Sequence, residues 1–215
     1  MAEPDAIVYV VDDDPSVRSS TARLVRSAGL AVRTFGSARE FLDQPRTDAP
    51  GCLILDVRMP GQGGLELQEE IARWTDPLPI IFVTGHGDIP MTVRAMRGGA
   101  VDFMTKPYRK ADLLGAIRGA IERDRSARRD RREATALRRR YERLTPRERE
   151  VMARVVAGLL NKQIAGELST TERTIKFHRG HIMEKMQASS LAELVQMATQ
   201  LDVTPGTARP VPEDS

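Results

Sequence analysis

A chain of 215 residues has room for one or two domains and for a sizeable apolar core. Its net charge is only +3, 4% of its residues are aromatic, and its single cysteine, Cys52, excludes a disulfide framework. The start MAEPDAIVYVV has no basic segment ahead of a long apolar one, and no apolar run approaches the ~18 residues of a membrane span, so a soluble cytoplasmic protein is expected. Cys52 lies in an apolar run and is expected to be a buried structural thiol.

From the N-terminus, IVYVV (7–11), AVRTF (31–35), CLILD (52–56), PIIFVT (79–84) and VDFMT (101–105) predict five strands. Several are apolar throughout, as parallel strands covered on both faces should be. Helical patterns alternate with them, the first opening at Pro15 with Asp14 as its cap and ending at Gly29. Others follow at 37–44, 65–74, 89–98 and from 110 onward. This alternation predicts an α/β doubly wound sheet, in which ligands sit beyond the carboxyl ends of the strands. Asp12, Asp13, Asp56, Thr84 and Lys106 all fall on that rim.

The succession Asp12, Asp13, Asp14 at the end of the first strand has two readings. Adjacent carboxylates repel in a low dielectric, so either a cation or lysine compensates them, or one caps the next helix and two are solvated. Under the first reading, Asp13 and Asp56, with Asp12 acting directly or through water, suit Mg2+, which takes few carboxylates and keeps waters or phosphate oxygens. A lysine and a threonine hydroxyl beside them suit a transferred phosphoryl group.

Residues 121–143 carry 10 basic and 5 acidic side chains, the main local charge excess of the chain. Residues 122–140 have almost no apolar face and are expected to form an exposed helical linker, laced by pairs such as Asp124 with Arg128. From 144 the pattern is helical only. Thr145-Pro146-Arg147-Glu148 is a capping box, NKQIAGEL follows from Asn161, a third helix spans 171–186 and a fourth 190–201. The tail 204–215 is polar and proline-rich and is expected to be disordered.

On a helical wheel for 171–186, Ile175, Arg179, Ile182 and Met186 lie near one face, with His178 at its margin. Arg173, Lys176, Phe177, Gly180, His181 and Glu184 lie opposite, a surface suited to a DNA major groove. His178 and His181 have the spacing of paired metal ligands, but no cysteine or third histidine accompanies them, so a packing or capping role for His178 is preferred.

The segments VVDDD, LILDVRMPGQGG, FVTGHGD and FMTKP resemble the signature segments of response-regulator receiver domains, in order, over residues 5–121. The resemblance implies a flavodoxin-like sheet of order 2-1-3-4-5. It makes Asp56 the phosphoacceptor for a sensor histidine kinase. Asp12, Asp13, Asp56 and the Arg58 carbonyl would hold Mg2+, Lys106 would contact the phosphoryl oxygens, and Lys106-Pro107 would be cis. Thr84 and Phe103 match the family's switch pair; His86 is read as a surface loop residue. A haloacid-dehalogenase-like phosphatase is disfavoured because Arg58 stands where that family needs an acid.

Residues 141–203 resemble the LuxR-type helix-turn-helix, a four-helix all-α module, on LTPREREVMARVVAG, NKQIAGEL and TERTIKFHRGHIMEKM. The whole chain thus resembles a FixJ/NarL-type response regulator of the FixJ-like subgroup, with 171–186 as recognition helix and 190–201 as dimerisation helix. Its candidate DNA-binding residues are Lys162, Arg173, Thr174, Lys176, Phe177, Arg179, Gly180 and His181. Thr170 and Phe177 depart from the pattern, which prefers an apolar residue and valine there. The resemblance implies a transcription regulator, expected to activate, that promotes only its own phosphorylation and dephosphorylation. Its partners would be the kinase, double-stranded promoter DNA, a second copy on phosphorylation and RNA polymerase, with no membrane. The alternative is a signalling adaptor or phosphate sink acting through protein contacts.

Overall fold

The computed structural model describes residues 6–203, apart from Arg46 and His86. The tail 204–215, expected to be disordered, lies outside the described residues, as does His86. The chain divides into two compact units between Arg129 and Asp130.

In the first unit, β1 (Ile7–Val11), β2 (Ala31–Phe35), β3 (Gly51–Leu55), β4 (Ile80–Thr84) and β5 (Asp102–Thr105) form one parallel sheet. Its order, β2-β1-β3-β4-β5, is the one expected. The helices α1 (Pro15–Ser27), α2 (Ala38–Leu42), α3 (Gly64–Ile71), α4 (Ile89–Arg97) and α5 (Lys110–Glu142) alternate with the strands. Because successive side chains point to opposite faces, Tyr9, Val11, Leu53, Leu55 and Phe82 meet α2, α3 and α4 through Phe41, Leu67 and Ala95. Val8, Val10, Cys52, Ile54, Ile81 and Val83 meet α1 and α5 through Val25, Leu113 and Ile117. Two-sided burial is why β3 and β4 lack polar alternation. Edge strand β2 keeps Arg33 and Thr34 exposed.

The expectation of an exposed linker is corrected for its first turns. Asp124 is 2% and Arg128 8% exposed. Arg128 Nε donates to Asp124 Oδ2 at 2.7 Å, and the same oxygen accepts the Gly51 N–H at 2.9 Å. Pairing opposite charges one turn apart, with a backbone donor besides, lets a helix without an apolar face be buried at the foot of β3.

Among its described residues the second unit holds the end of α5 and α6 (Pro146–Val156), α7 (Asn161–Glu167), α8 (Glu172–Met186) and α9 (Leu191–Gln200). Leu137, Leu144, Val151, Met152, Ile164, Ile175, Ile182, Met186 and Leu194 form its core. Both halves of the capping box at Thr145 are made: Glu148 N–H donates to Thr145 Oγ1 and Thr145 N–H to Glu148 Oε2. Thr171 and Ser190 cap α8 and α9, so these helices begin one residue inside the expected spans.

Candidate functional site

The sheet ladder continues one residue past three strands. Asp12 N–H donates to Phe35 O, Asp56 N–H to Val11 O and Lys106 N–H to Thr84 O. Each charged residue therefore hangs from the last carbonyl of its neighbouring strand, and the rim is set by the sheet. Beside it, Gly64 lets α3 begin against the backbone of Asp56, where a Cβ would strike the Asp56 carbonyl oxygen.

Lys106 Nζ donates to Asp12 Oδ2 at 2.7 Å and to Asp56 Oδ2 at 3.0 Å. Asp12 is 4% and Asp56 9% exposed. Asp12, Asp13 and Asp56 each present a carboxylate oxygen within 4.8 Å of the others. Such a set of hard oxygen donors fits Mg2+. Burial raises the Asp12 pKa above its ordinary value, partly opposed by the Lys106 hydrogen bond. Burial also works against the Lys106 cation, but its bonds to Asp12 and Asp56 outweigh that and raise its pKa. Asp14 does something else, because its Oδ1 accepts the Ser16 and Val17 N–H groups at the start of α1. The helix cap of the second reading therefore holds for Asp14, whereas its two solvated acids do not: Asp12 is buried and paired with Lys106, and of the two only Asp13 is exposed.

Thr84 ends β4 and is buried. Phe103 pairs with Phe82 across β4 and β5, with ring centroids 6.2 Å apart, and remains partly exposed. The Arg58 side chain is exposed, and the Arg58 backbone N–H donates to Asp56 Oδ1 at 3.3 Å. Lys106-Pro107 is cis. One contact was not legible in the sequence: Arg18 Nη1 donates to Asp12 O at 2.6 Å, pinning the turn between β1 and α1. Only its position one turn into α1 hinted at it. Burial, reinforced by Asp124, pushes the Cys52 thiol up to about 12, so at neutral pH it is no thiolate.

In the second unit, α7 and α8 are joined by a turn in which Thr170 N–H donates to Ala165 O and Arg147 Nη2 to Leu168 O. Backbone bonds thus close the turn at the departing residue Thr170. Arg173, Lys176, Phe177 and Gly180 are exposed on α8 and Lys162 on α7, with His181 half-buried. Thr174 N–H is taken up by the Thr171 cap, and Arg179 Nη1 donates to Asn161 Oδ1 at 2.8 Å, bracing α8 on α7. Glu148, 3% exposed, accepts Lys185 Nζ at 2.9 and 2.6 Å and lies 3.8 Å from His181 Nδ1. The capping motif located Glu148, but nothing local in the sequence pointed to Lys185, 37 residues away.

Residues 8–118 match the response regulator receiver domain family, and residues 142–198 match the bacterial regulatory proteins of the luxR family. The chain is a response regulator. Its receiver and luxR-family domains make it a DNA-binding transcription regulator, which sets aside the adaptor and phosphatase readings. This response regulator is 53% identical over 203 residues to Nodulation protein W of Bradyrhizobium diazoefficiens, covering 94% of this chain and 89% of that one. It is 44% identical over 191 residues to the transcriptional regulatory protein FixJ of the same organism, covering 89% and 93%. The solved structure of the response regulator StyR is similar with a TM-score of 0.85 and 46% identity, covering 92% of this chain and 100% of that one. No helix among the described residues is long and apolar enough to cross a membrane.

Proposed function

We propose that Asp56 accepts a phosphoryl group from a sensor histidine kinase in a magnesium-dependent reaction, and that the phosphorylated chain dimerises on promoter DNA and activates transcription. The convergence of Asp12, Asp13, Asp56 and Lys106 on one rim carries this reading. An Asp56 oxygen attacks phosphorus as the N–P bond of the kinase's phosphohistidine breaks. The bonding electron pair stays on the imidazole nitrogen, which takes up a proton. Asp12, Asp13, Asp56 and the Arg58 carbonyl are the residues to hold Mg2+, which when bound supplies positive charge to the acids and the phosphoryl oxygens. Lys106 exchanges a carboxylate partner for a phosphoryl oxygen, a preorganised cation at the developing charge.

The Thr84 hydroxyl then turns toward the new phosphoryl group and Phe103 turns inward, altering the face formed by α4, β5 and α5. Ile89, 81% exposed, with Val93 and Met96 gives α4 an apolar stripe suited to a second copy. On α9, the exposed Leu191 and Val195 suit the same pairing in the second unit. We assign residues 5–121 to the receiver, 122–140 to the linker and 141–203 to the DNA-binding domain. Lys162, Arg173, Thr174, Lys176, Phe177, Arg179, Gly180 and His181 form the DNA-facing set, with Arg179 offering its remaining N–H groups to a phosphate. RNA polymerase is the partner expected of an activator bound at a promoter, in the cytoplasm.

Incubation with Mg2+ and a small phosphodonor tests the reaction. Wild type should take up label and Asp56→Asn should not; equal labelling of both overturns the proposal.

A further inference from the structure

Phe177 is 62% exposed in the middle of α8. A single exposed apolar side chain is ordinary, but this one is held in place. The His181 ring, one turn further on, packs against it with centroids 4.2 Å apart, and His178 adds an edge contact at 6.2 Å. His181 stands beside the buried Glu148, which hydrogen bonds from Lys185 and Thr145 anchor. Gly180 adds no side chain on that face, and a Cβ there would meet nothing within 4 Å. Arg173 and Lys176 are exposed on the same helix face. The result is a fixed apolar disc, with open space beside it, on a cationic helix surface.

A helix enters the major groove, about 12 Å wide, and not the minor groove, about 6 Å wide. Among the groups that base pairs present in the major groove, the thymine C5-methyl is the apolar one. The flanking Arg and Lys satisfy phosphates or guanine and do not recognise that methyl. We propose that Phe177 is a specificity-determining residue that reads a thymine methyl group in the major groove, held for that contact by His181. The inference rests on α8 being the DNA-reading helix.

The full-length chain, with Mg2+ and a small phosphodonor, is used to enrich binding sites from random-sequence duplexes. Each thymine of the enriched site is then replaced singly by deoxyuracil, which lacks only the methyl. At one thymine per half-site, wild type should lose about fourfold in affinity, the effect of one buried apolar carbon. Phe177→Ala should bind more weakly, show no penalty at that thymine and keep the same salt dependence, because phosphate contacts remain. Tolerance of deoxyuracil everywhere by wild type, or an unchanged penalty in Phe177→Ala, overturns the inference. Enrichment of no sequence at all overturns the assignment of α8, and the inference with it, at a separate and earlier step.

Discussion

Asp12 and Lys106 are 94 residues apart in the chain and 2.7 Å apart in space, whereas Arg173, Lys176, Phe177 and Gly180 follow one another along a single helix. The rim is assembled by sheet order, and its Asp12 and Asp56 are buried and share Lys106 as their compensating cation. The α8 surface is local, solvated and made of side chains that hardly touch, His181 and His178 on Phe177 excepted. Buried groups sharing partners couple strongly when changed, while separated exposed ones act nearly additively.

Lys106 is where that contrast can be tested most directly. Lys106→Ala removes the cation between Asp12 and Asp56, and phosphorylation by a small donor should slow by about 10²–10³, as for loss of one preorganised donor. A slowing of less than about threefold in single-turnover labelling would contradict a preorganised site. Next comes the foot of the sheet: Asp124→Ala strands the Gly51 N–H, leaves the buried Arg128 with the solvent-exposed Asp48 as its partner, and should destabilise the receiver unit by about 3 kcal/mol in denaturant unfolding. No change would mean that α5 is not latched there.

Glu148 places a rim-like arrangement in the second unit, which otherwise differs so much from the first. Its burial alone would raise its pKa, but the Lys185 and Thr145 hydrogen bonds outweigh this and lower it. A carboxyl with a lowered folded pKa stabilises fully above its unfolded value, and that stability is lost as pH falls through the folded value. Unfolding of the second unit should therefore become easier as pH drops below about 4.5. Glu148→Gln should flatten that slope and cost about 2 kcal/mol at neutral pH. The smallest effect belongs to the exposed face. Lys176→Ala should leave stability within about 0.5 kcal/mol, and lower the salt slope of DNA binding by about 1 if Lys176 holds a phosphate.

Strand and helix placement was legible because it rests on neighbours in the chain. The apolar runs CLILD and PIIFVT, the caps at Asp14 and Thr145, and the glycine after α1 report local periodicity and backbone preference. The linker misled for the same reason. Asp124 and Arg128 read as a solvated pair because helical spacing is local, whereas their burial depends on Gly51, 73 residues from Asp124.

The order of residues alone was therefore enough for the alternation of elements, the change of character near residue 144, and the placing of Asp12, Asp13, Asp56, Thr84 and Lys106 at strand ends. Packing in three dimensions was needed to bring Lys106 between Asp12 and Asp56, Arg18 onto the Asp12 carbonyl, and α8 onto α6 through Glu148. Local propensity is a property of adjacent residues. The partner a buried charge receives, and the water it loses, are settled only when distant segments pack together.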